Sequence, residues 1–174
     1  MTQPVLQDAR GRWSRMSMMR CGERGDALVE LALALSLLGL PLLVGTADMG
    51  FVVYDSIEVA NAAHAATLYG MQSSTYAANT AGIVAAAQTE ASDFGATLTA
   101  TPTAYYACSN AIGGTQYMGS NAQANATAAC TGGTNHALEF VQVNTSVIVT
   151  PPVHLPGLSR TFTVTGSSVM EVEQ

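Results

Sequence analysis

Residues 24–47 read RGDALVELALALSLLGLPLLVGTA, and this stretch decides the fold because it is long and apolar enough to cross a membrane. Its last seventeen residues, from Leu31 to Ala47, carry no charge. As a helix they cover roughly 26 Å at about 1.5 Å per residue, and apolar flanking residues complete a hydrocarbon core of about 30 Å. The sequence therefore predicts a transmembrane helix over residues 26–50.

Charge divides the 174-residue chain into two parts. It has no Lys, and five of its six Arg precede residue 26, so residues 1–25 carry +3 and residues 26–174 carry −9. Basic flanks stay in the cytoplasm, which predicts a cytoplasmic leader over 1–25, a single pass through a membrane and an exported C-terminal part. Because nucleic-acid affinity is built mostly on Lys and Arg, the acidic exported part excludes nucleic acid as a partner.

A glycine and a glutamate mark the start of the apolar segment, which reads Arg24-Gly25-Asp26-Ala27-Leu28-Val29-Glu30. This arrangement resembles the class III signal of type IV pilins, which a membrane prepilin peptidase cuts after the glycine. The RGxxxVE start, the apolar stretch and the acidic and aromatic helix after it most resemble the TadE-like minor pseudopilins of the tight-adherence (Tad, or Flp) pilus system. The resemblance covers residues 24 to about 60, and residues 161–173 are similar to the closing strand of such proteins.

The resemblance implies a structural protein rather than an enzyme. It implies cleavage between Gly25 and Asp26 by a prepilin peptidase, and other pilins, pseudopilins and the inner-membrane pilus platform as partners beside the membrane lipid. Major Flp pilins are much shorter and carry Tyr after the glutamate, where this chain has Leu31. A minor role, in the membrane or in an extracellular pilus, is therefore expected.

Physical chemistry supports a special role for Glu30. A carboxylate in an apolar helix costs up to about 3 kcal/mol near the bilayer centre, so it needs compensation. Cleavage after Gly25 frees a cationic amine on Asp26, one helical turn away on the same chain or within reach on a neighbour. We expect Glu30 to pair with the Asp26 amine of an adjacent subunit and so to set subunit register.

Two other forms of processing are open from the sequence. Gly45-Thr46-Ala47 before Asp48 is a small-x-small site, and Pro41 would break the helix upstream of it, as a type I signal peptide requires. That pattern predicts a secreted protein that starts at Asp48. A plain signal anchor would keep Met1, and either form fits a periplasmic binding protein unrelated to pili.

An exported helical region is predicted over 51–94. Apolar or small residues recur at helical spacing with Asp55 and Glu58 on the other side, so the membrane helix is predicted to continue outside as one amphipathic rod. Its apolar face is Val53, Ile57, Ala60, His64, Leu68 and Met71. Gly70 and Ser73-Ser74 are expected to interrupt this helix. A second helix is predicted from Tyr76 to Phe94, ended by Gly95.

A small β-rich head is predicted over 95–174. Thr97 to Ala107 is rich in Thr and Tyr, and Pro102 assigns it to an edge strand. Residues 141–149 alternate Val or Thr with Gln142, Asn144 and Ser146, and Phe162, Val164, Met170 and Val172 share one parity. These two segments therefore predict an antiparallel pair. With the helices, the fold class is α+β.

Cys108 and Cys130 fall in the exported part, where an oxidising compartment permits disulfides. They bracket 21 residues with few large apolar side chains, a segment expected not to order itself. A disulfide between them is predicted, ahead of two free thiols or a zinc site, since two lone Cys do not make a four-ligand set.

No catalytic or cofactor-binding set is evident. The three histidines, His64, His136 and His154, lack a Cys, Asp or second His at ligand spacing, so no metal site is predicted. There is no GxSxG elbow, no Lys to act as a base, and no Gly-rich loop between a strand and a helix. We therefore expect no cofactor and no enzymatic activity.

Overall fold

The computed structural model describes residues 23–110, 113–153 and 159–173. The chain divides into two units with a boundary between Thr46 and Ala47. Most of the predicted leader, residues 1–22, and His154 lie outside the described residues.

Helix begins at the first described residue and passes through Pro41. Helix α1 spans Glu23–Ala34, one π-helical turn spans Leu35–Gly39, and helix α2 spans Leu40–Gly70. In the π turn the Leu40 amide donates to the carbonyl of Leu35, five residues back. A proline has no amide to donate and its ring crowds the preceding turn, and a wider turn accommodates both effects. The break that the type I signal would need at Pro41 is therefore absent from the described helix.

Two short helices replace the single helix predicted over Tyr76–Phe94. Helix α3 spans Ser74–Ala78 and helix α4 spans Thr80–Glu90. Asn79 separates them, because its backbone leaves the helical region and its side chain accepts a 3.0 Å hydrogen bond from the amide of Gly82, which caps α4. The prediction was wrong at both ends, and a 3₁₀ turn over Gly95–Thr97 leads into the sheet.

Three antiparallel strands form the sheet, in the order β1-β2-β3. Strand β1 spans Thr99–Cys108, β2 spans Ala137–Val149 and β3 spans Phe162–Glu171. The predicted pairing of the last two strands is confirmed, and Pro102 lies on an edge strand as expected. Along β2 from residue 141 every second side chain is buried, as the alternation predicted. The α+β fold class is confirmed.

The main core lies between the inner face of the sheet and helices α2 and α4. Apart from Asp48, the buried residues of α2 are mostly small and lie in its second half: Val59, Ala62, Ala63, Ala66, Thr67 and Gly70. A Cβ on Gly70 would lie 3.0 Å from Val141, so the helix and the sheet approach closely there. On α4 the buried residues are Ile83 and Ala87.

The predicted apolar face of α2 is not its buried face. Val53, Ile57, Ala60, His64 and Leu68 are all exposed, although they recur at helical spacing. A second stripe on the same helix has the same period but smaller side chains, and close approach to a sheet favours small side chains. The larger apolar stripe is left facing outward.

The disulfide between Cys108 and Cys130 is present, with Cα atoms 5.3 Å apart. It joins the end of β1 to the end of helix α5, which spans Ala122–Ala129. With this bond in place, the bracketed segment forms helix α5. Small side chains suffice here because Ala122 and Ala126 are buried and the helix packs on β1.

Candidate functional site

The predicted cleavage site lies in the first turns of α1. Gly25, Asp26 and Glu30 are helical and exposed, and a Cβ placed on Gly25 would meet no atom within 4 Å. Glycine destabilises a helix by about 1 kcal/mol relative to alanine, so the bond after Gly25 is a comparatively easy place to unwind the chain for a protease. Asp26 and Glu30 are four residues apart and therefore share a face of the helix.

The helix that follows could span a membrane. The apolar span Gly25–Gly70 includes an 18-residue window with none of its side chains buried. Between Leu28 and Leu43, ten large apolar residues are more than half exposed: Leu28, Val29, Leu31, Leu33, Leu35, Leu37, Leu38, Leu40, Leu42 and Leu43. Such a surface is unfavourable in water and is matched by lipid or by other apolar helices.

A groove of about 660 Å³ lies in the second unit, beside α2 where the apolar run has ended. Ala47, Gly50, Phe51 and Tyr54 form its apolar lining, and the carboxylates of Asp55 and Asp93 complete it. Phe51 and Tyr54 are 54% and 61% exposed, so nothing in the described chain covers this lining.

Four carboxylates converge beside the groove. Asp55 and Glu58 belong to α2, Glu90 ends α4 and Asp93 follows it. Burial, and secondly the charge of Asp93, raises the pKa of Asp55 above its ordinary value. The same two causes lead in raising the pKa of Glu58, with the Asp93 backbone amide offsetting part of the rise. Glu58 Oε2 is shielded from solvent and accepts no hydrogen bond from any described residue.

Comparison with known protein families finds a match for the N-terminal part of the chain. Residues 25–68 match the family model described as "TadE-like protein". This segment is TadE-like. The resemblance predicted from the sequence is thus confirmed over this stretch, which contains the predicted cleavage site, Glu30 and most of the groove. No curated protein and no solved structure matches the chain.

Outside the TadE-like segment, sequence analysis missed a buried carboxylate. Glu139 on β2 is 7% exposed and accepts a 2.6 Å hydrogen bond from the hydroxyl of Ser74 at the start of α3. Burial, with the neighbouring Glu139, raises the pKa of Tyr106 on β1. These contacts tie α3 to the sheet. The sequence gives no sign that Glu139 is buried or that Ser74, 65 residues away, is its hydrogen-bond partner.

The two histidines that the structure describes lie in separate surroundings. His64 lies within the TadE-like segment and is exposed, and His136 Nδ1 lies 2.9 Å from the carbonyl of Thr134. Among the described residues, no group of three His, Cys, Asp or Glu is arranged to hold a metal ion.

Proposed function

We propose that this chain is a minor pseudopilin, a structural component of a Tad-type pilus. Its TadE-like segment, which begins at Gly25 and continues through the exposed apolar helix, is the observation that carries the proposal. In this proposal a prepilin peptidase cuts between Gly25 and Asp26, residues 26–50 anchor the chain in the bacterial inner membrane, and the disulfide-bonded head is exported. It acts by binding other pilins, pseudopilins and the membrane platform, without catalysis and without a cofactor.

Glu30 gives this assembly its register. In the cleaved chain the new Asp26 amine is cationic at neutral pH, with a reference pKa near 8. Glu30 is an exposed carboxylate among exposed leucines, and apolar surroundings screen charges weakly. A positive charge at the same depth in the membrane therefore stabilises it strongly. The nearest matching group on a neighbouring copy or pilin is its own N-terminal amine. The pair forms only when the two helices are level, so it fixes their relative height.

Mass spectrometry of the mature N-terminus tests the processing step. We expect the membrane form to start at Asp26. A Gly25→Val variant should accumulate uncut, because a β-branched residue obstructs the cleavage site, whereas Gly50→Val serves as a matched control and should be cut normally. A start at Met1 would indicate a plain signal anchor, and a start at Asp48 would indicate a secreted protein. Either start would contradict the proposal.

A separate pair of variants tests Glu30. Glu30→Gln removes the charge at nearly constant shape, and we expect correct cleavage but loss of co-assembly with other pilins. Asp26→Asn is the matched control, since it removes a carboxylate in the same turn and keeps the α-amine, so assembly should be retained. Co-purification of pilins from cross-linked membranes measures both. Normal assembly of Glu30→Gln would refute the register role.

A further inference from the structure

The groove beside Phe51 and Tyr54 joins an apolar lining to an acidic rim. Ala47, the last residue of the apolar run, begins this lining, which continues about two helical turns to Tyr54. Asp55 and Asp93 line the acidic side. Glu58 and Glu90 lie near enough to interact with them, and the four acids are hereafter the acidic rim. A surface that is apolar on one side and anionic on the other suits an occupant with both an apolar face and a positive charge.

The acidic rim has no positive counterpart in the described part of the chain. The charged groups that act on Asp55 and Glu58 there are all carboxylates, namely Asp93 and Glu90 together with Asp55 itself acting on Glu58. A cation bound between Asp55 and Asp93, the two acids that line the groove, would relieve the repulsion among these carboxylates.

We propose that this groove receives the exported end of a transmembrane helix from a different membrane protein, which places a Lys or Arg side chain in the acidic rim. The inference rests on the membrane anchoring in the function proposed above. The occupant is a helix because its adjoining part lies in the bilayer, where backbone groups must be satisfied within the segment.

Other occupants fit less well. A second copy brings no suitable cation, because five of its six Arg precede residue 26 and Arg160 precedes β3 rather than a membrane helix. A phospholipid always carries a phosphate, so even a headgroup that also holds an ammonium group has no net positive charge, and four carboxylates attract it less than a Lys or Arg side chain. Basic residues are depleted at the exported ends of membrane helices, so an acidic rim at this position discriminates among neighbouring helices.

Photo-cross-linking in the native cells tests the groove. Benzoylphenylalanine replaces Phe51 in the full-length chain, and the adduct is isolated through a C-terminal tag and sequenced. We expect a membrane protein with a Lys or Arg at the exported end of a transmembrane helix. In the triple variant Asp55→Asn, Glu58→Gln, Asp93→Asn the adduct should fall roughly tenfold, because a desolvated charge pair is lost. These isosteric changes also remove mutual repulsion, so the fold should be retained.

Two controls complete the design. The same probe at Leu68, which is exposed on α2 thirteen residues beyond Asp55, should give adducts that the triple variant does not change. Glu58→Lys should abolish the Phe51 adduct, and exchange of the partner's Lys or Arg for Glu should restore it. An adduct with a second copy or with lipid, the absence of an adduct, or a yield unaffected by the triple variant would overturn the inference.

The mature N-terminus, read from the same samples, separates this inference from the proposed function. An acid-dependent adduct on a chain that does not start at Asp26 would support the groove and refute pseudopilin processing. A chain that starts at Asp26 without an acid-dependent adduct would refute the groove alone.

Discussion

The hydroxyl of Thr145 on β2 donates a 2.8 Å hydrogen bond to the main-chain carbonyl of Val59 on α2, across 86 residues of sequence. Both residues are buried, at 1% and 0% exposure. A second bond of 2.8 Å joins the hydroxyls of Thr67 on α2 and Ser168 on β3. Because the core side chains of α2 are small, these polar contacts contribute substantially to the fixed position of the helix on the sheet.

Thr145→Val is expected to destabilise the head by about 1–2 kcal/mol, since it keeps the shape and removes a buried donor. Thr163→Val on the exposed face of β3 is the matched control and should change stability by less than about 0.5 kcal/mol. Thermal unfolding of the full-length chain in detergent, followed by near-UV circular dichroism, measures both. Equal stability of the two variants would show that the Thr145 hydroxyl does not matter.

Gly166→Ala is expected to destabilise the head by about 1–3 kcal/mol, because added volume in a packed core forces backbone shifts. A Cβ there would lie 2.7 Å from the Val59 carbonyl oxygen and 2.7 Å from Thr145 Oγ1, and backbone cannot move aside cheaply. Gly50→Ala makes the same change on α2 with no atom within 4 Å, so it should be neutral or slightly stabilising. A stable Gly166→Ala variant would mean that α2 and β3 are not so closely packed.

Sequence periodicity predicted the strands well but could not choose the buried face of α2. The alternation of Val141, Val143, Thr145, Val147 and Val149 follows from a sheet with one buried face, and no competing pattern exists there. On α2 two stripes share the helical period, and their difference lies in side-chain volume, whose effect depends on how closely the sheet approaches. The helix break at Asn79 was not predicted, because the Ala-rich residues on both sides favour a continuous helix. The hydrogen bond from the Gly82 amide to the Asn79 side chain, which caps α4, outweighs that preference.

The two candidate sites also differ in whether the sequence alone could predict them. Gly25 and Glu30 are close in sequence, so their spacing alone predicts a shared role. The groove, in contrast, brings Glu58 together with Asp93, which is 35 residues away, and only the packing of α4 against α2 places them side by side.

The convergence of carboxylates predicts an unusual pH dependence. The pKa values of Asp55 and Glu58 are raised above 3.8 and 4.5, so the native state holds their protons more tightly than the unfolded chain. The contribution of these two groups to stability is therefore present below their ordinary pKa values. It falls as pH rises toward their raised native pKa values, and it is lost above those. This is opposite to the usual behaviour of ion-paired acids.

Asp93→Asn removes one cause of these shifts and should raise stability at pH 7 by about 0.5 kcal/mol, as for a partly exposed charge pair. It should also flatten the pH dependence between about pH 4 and 7. Glu171→Gln at the far end of β3 makes the same charge change and should leave that dependence unaltered. The test is to measure the unfolding temperature across this pH range. If it changed with pH equally in Asp93→Asn and in the unaltered chain, Asp93 would not repel Asp55 and Glu58.

The disulfide should contribute about 3 kcal/mol to the stability of the head, because it closes a loop of roughly twenty residues in the unfolded chain. The paired variant Cys108→Ser with Cys130→Ser is expected to lose this amount, and α5 should be the first element to exchange its amide hydrogens. Two observations support that order: α5 is short, and its buried side chains are alanines, Ala122 and Ala126. Reductant should destabilise the unaltered chain to the level of the double variant and leave the variant unchanged. If reductant had no effect on the unaltered chain, the packing of α5 on β1 would be sufficient without the covalent link.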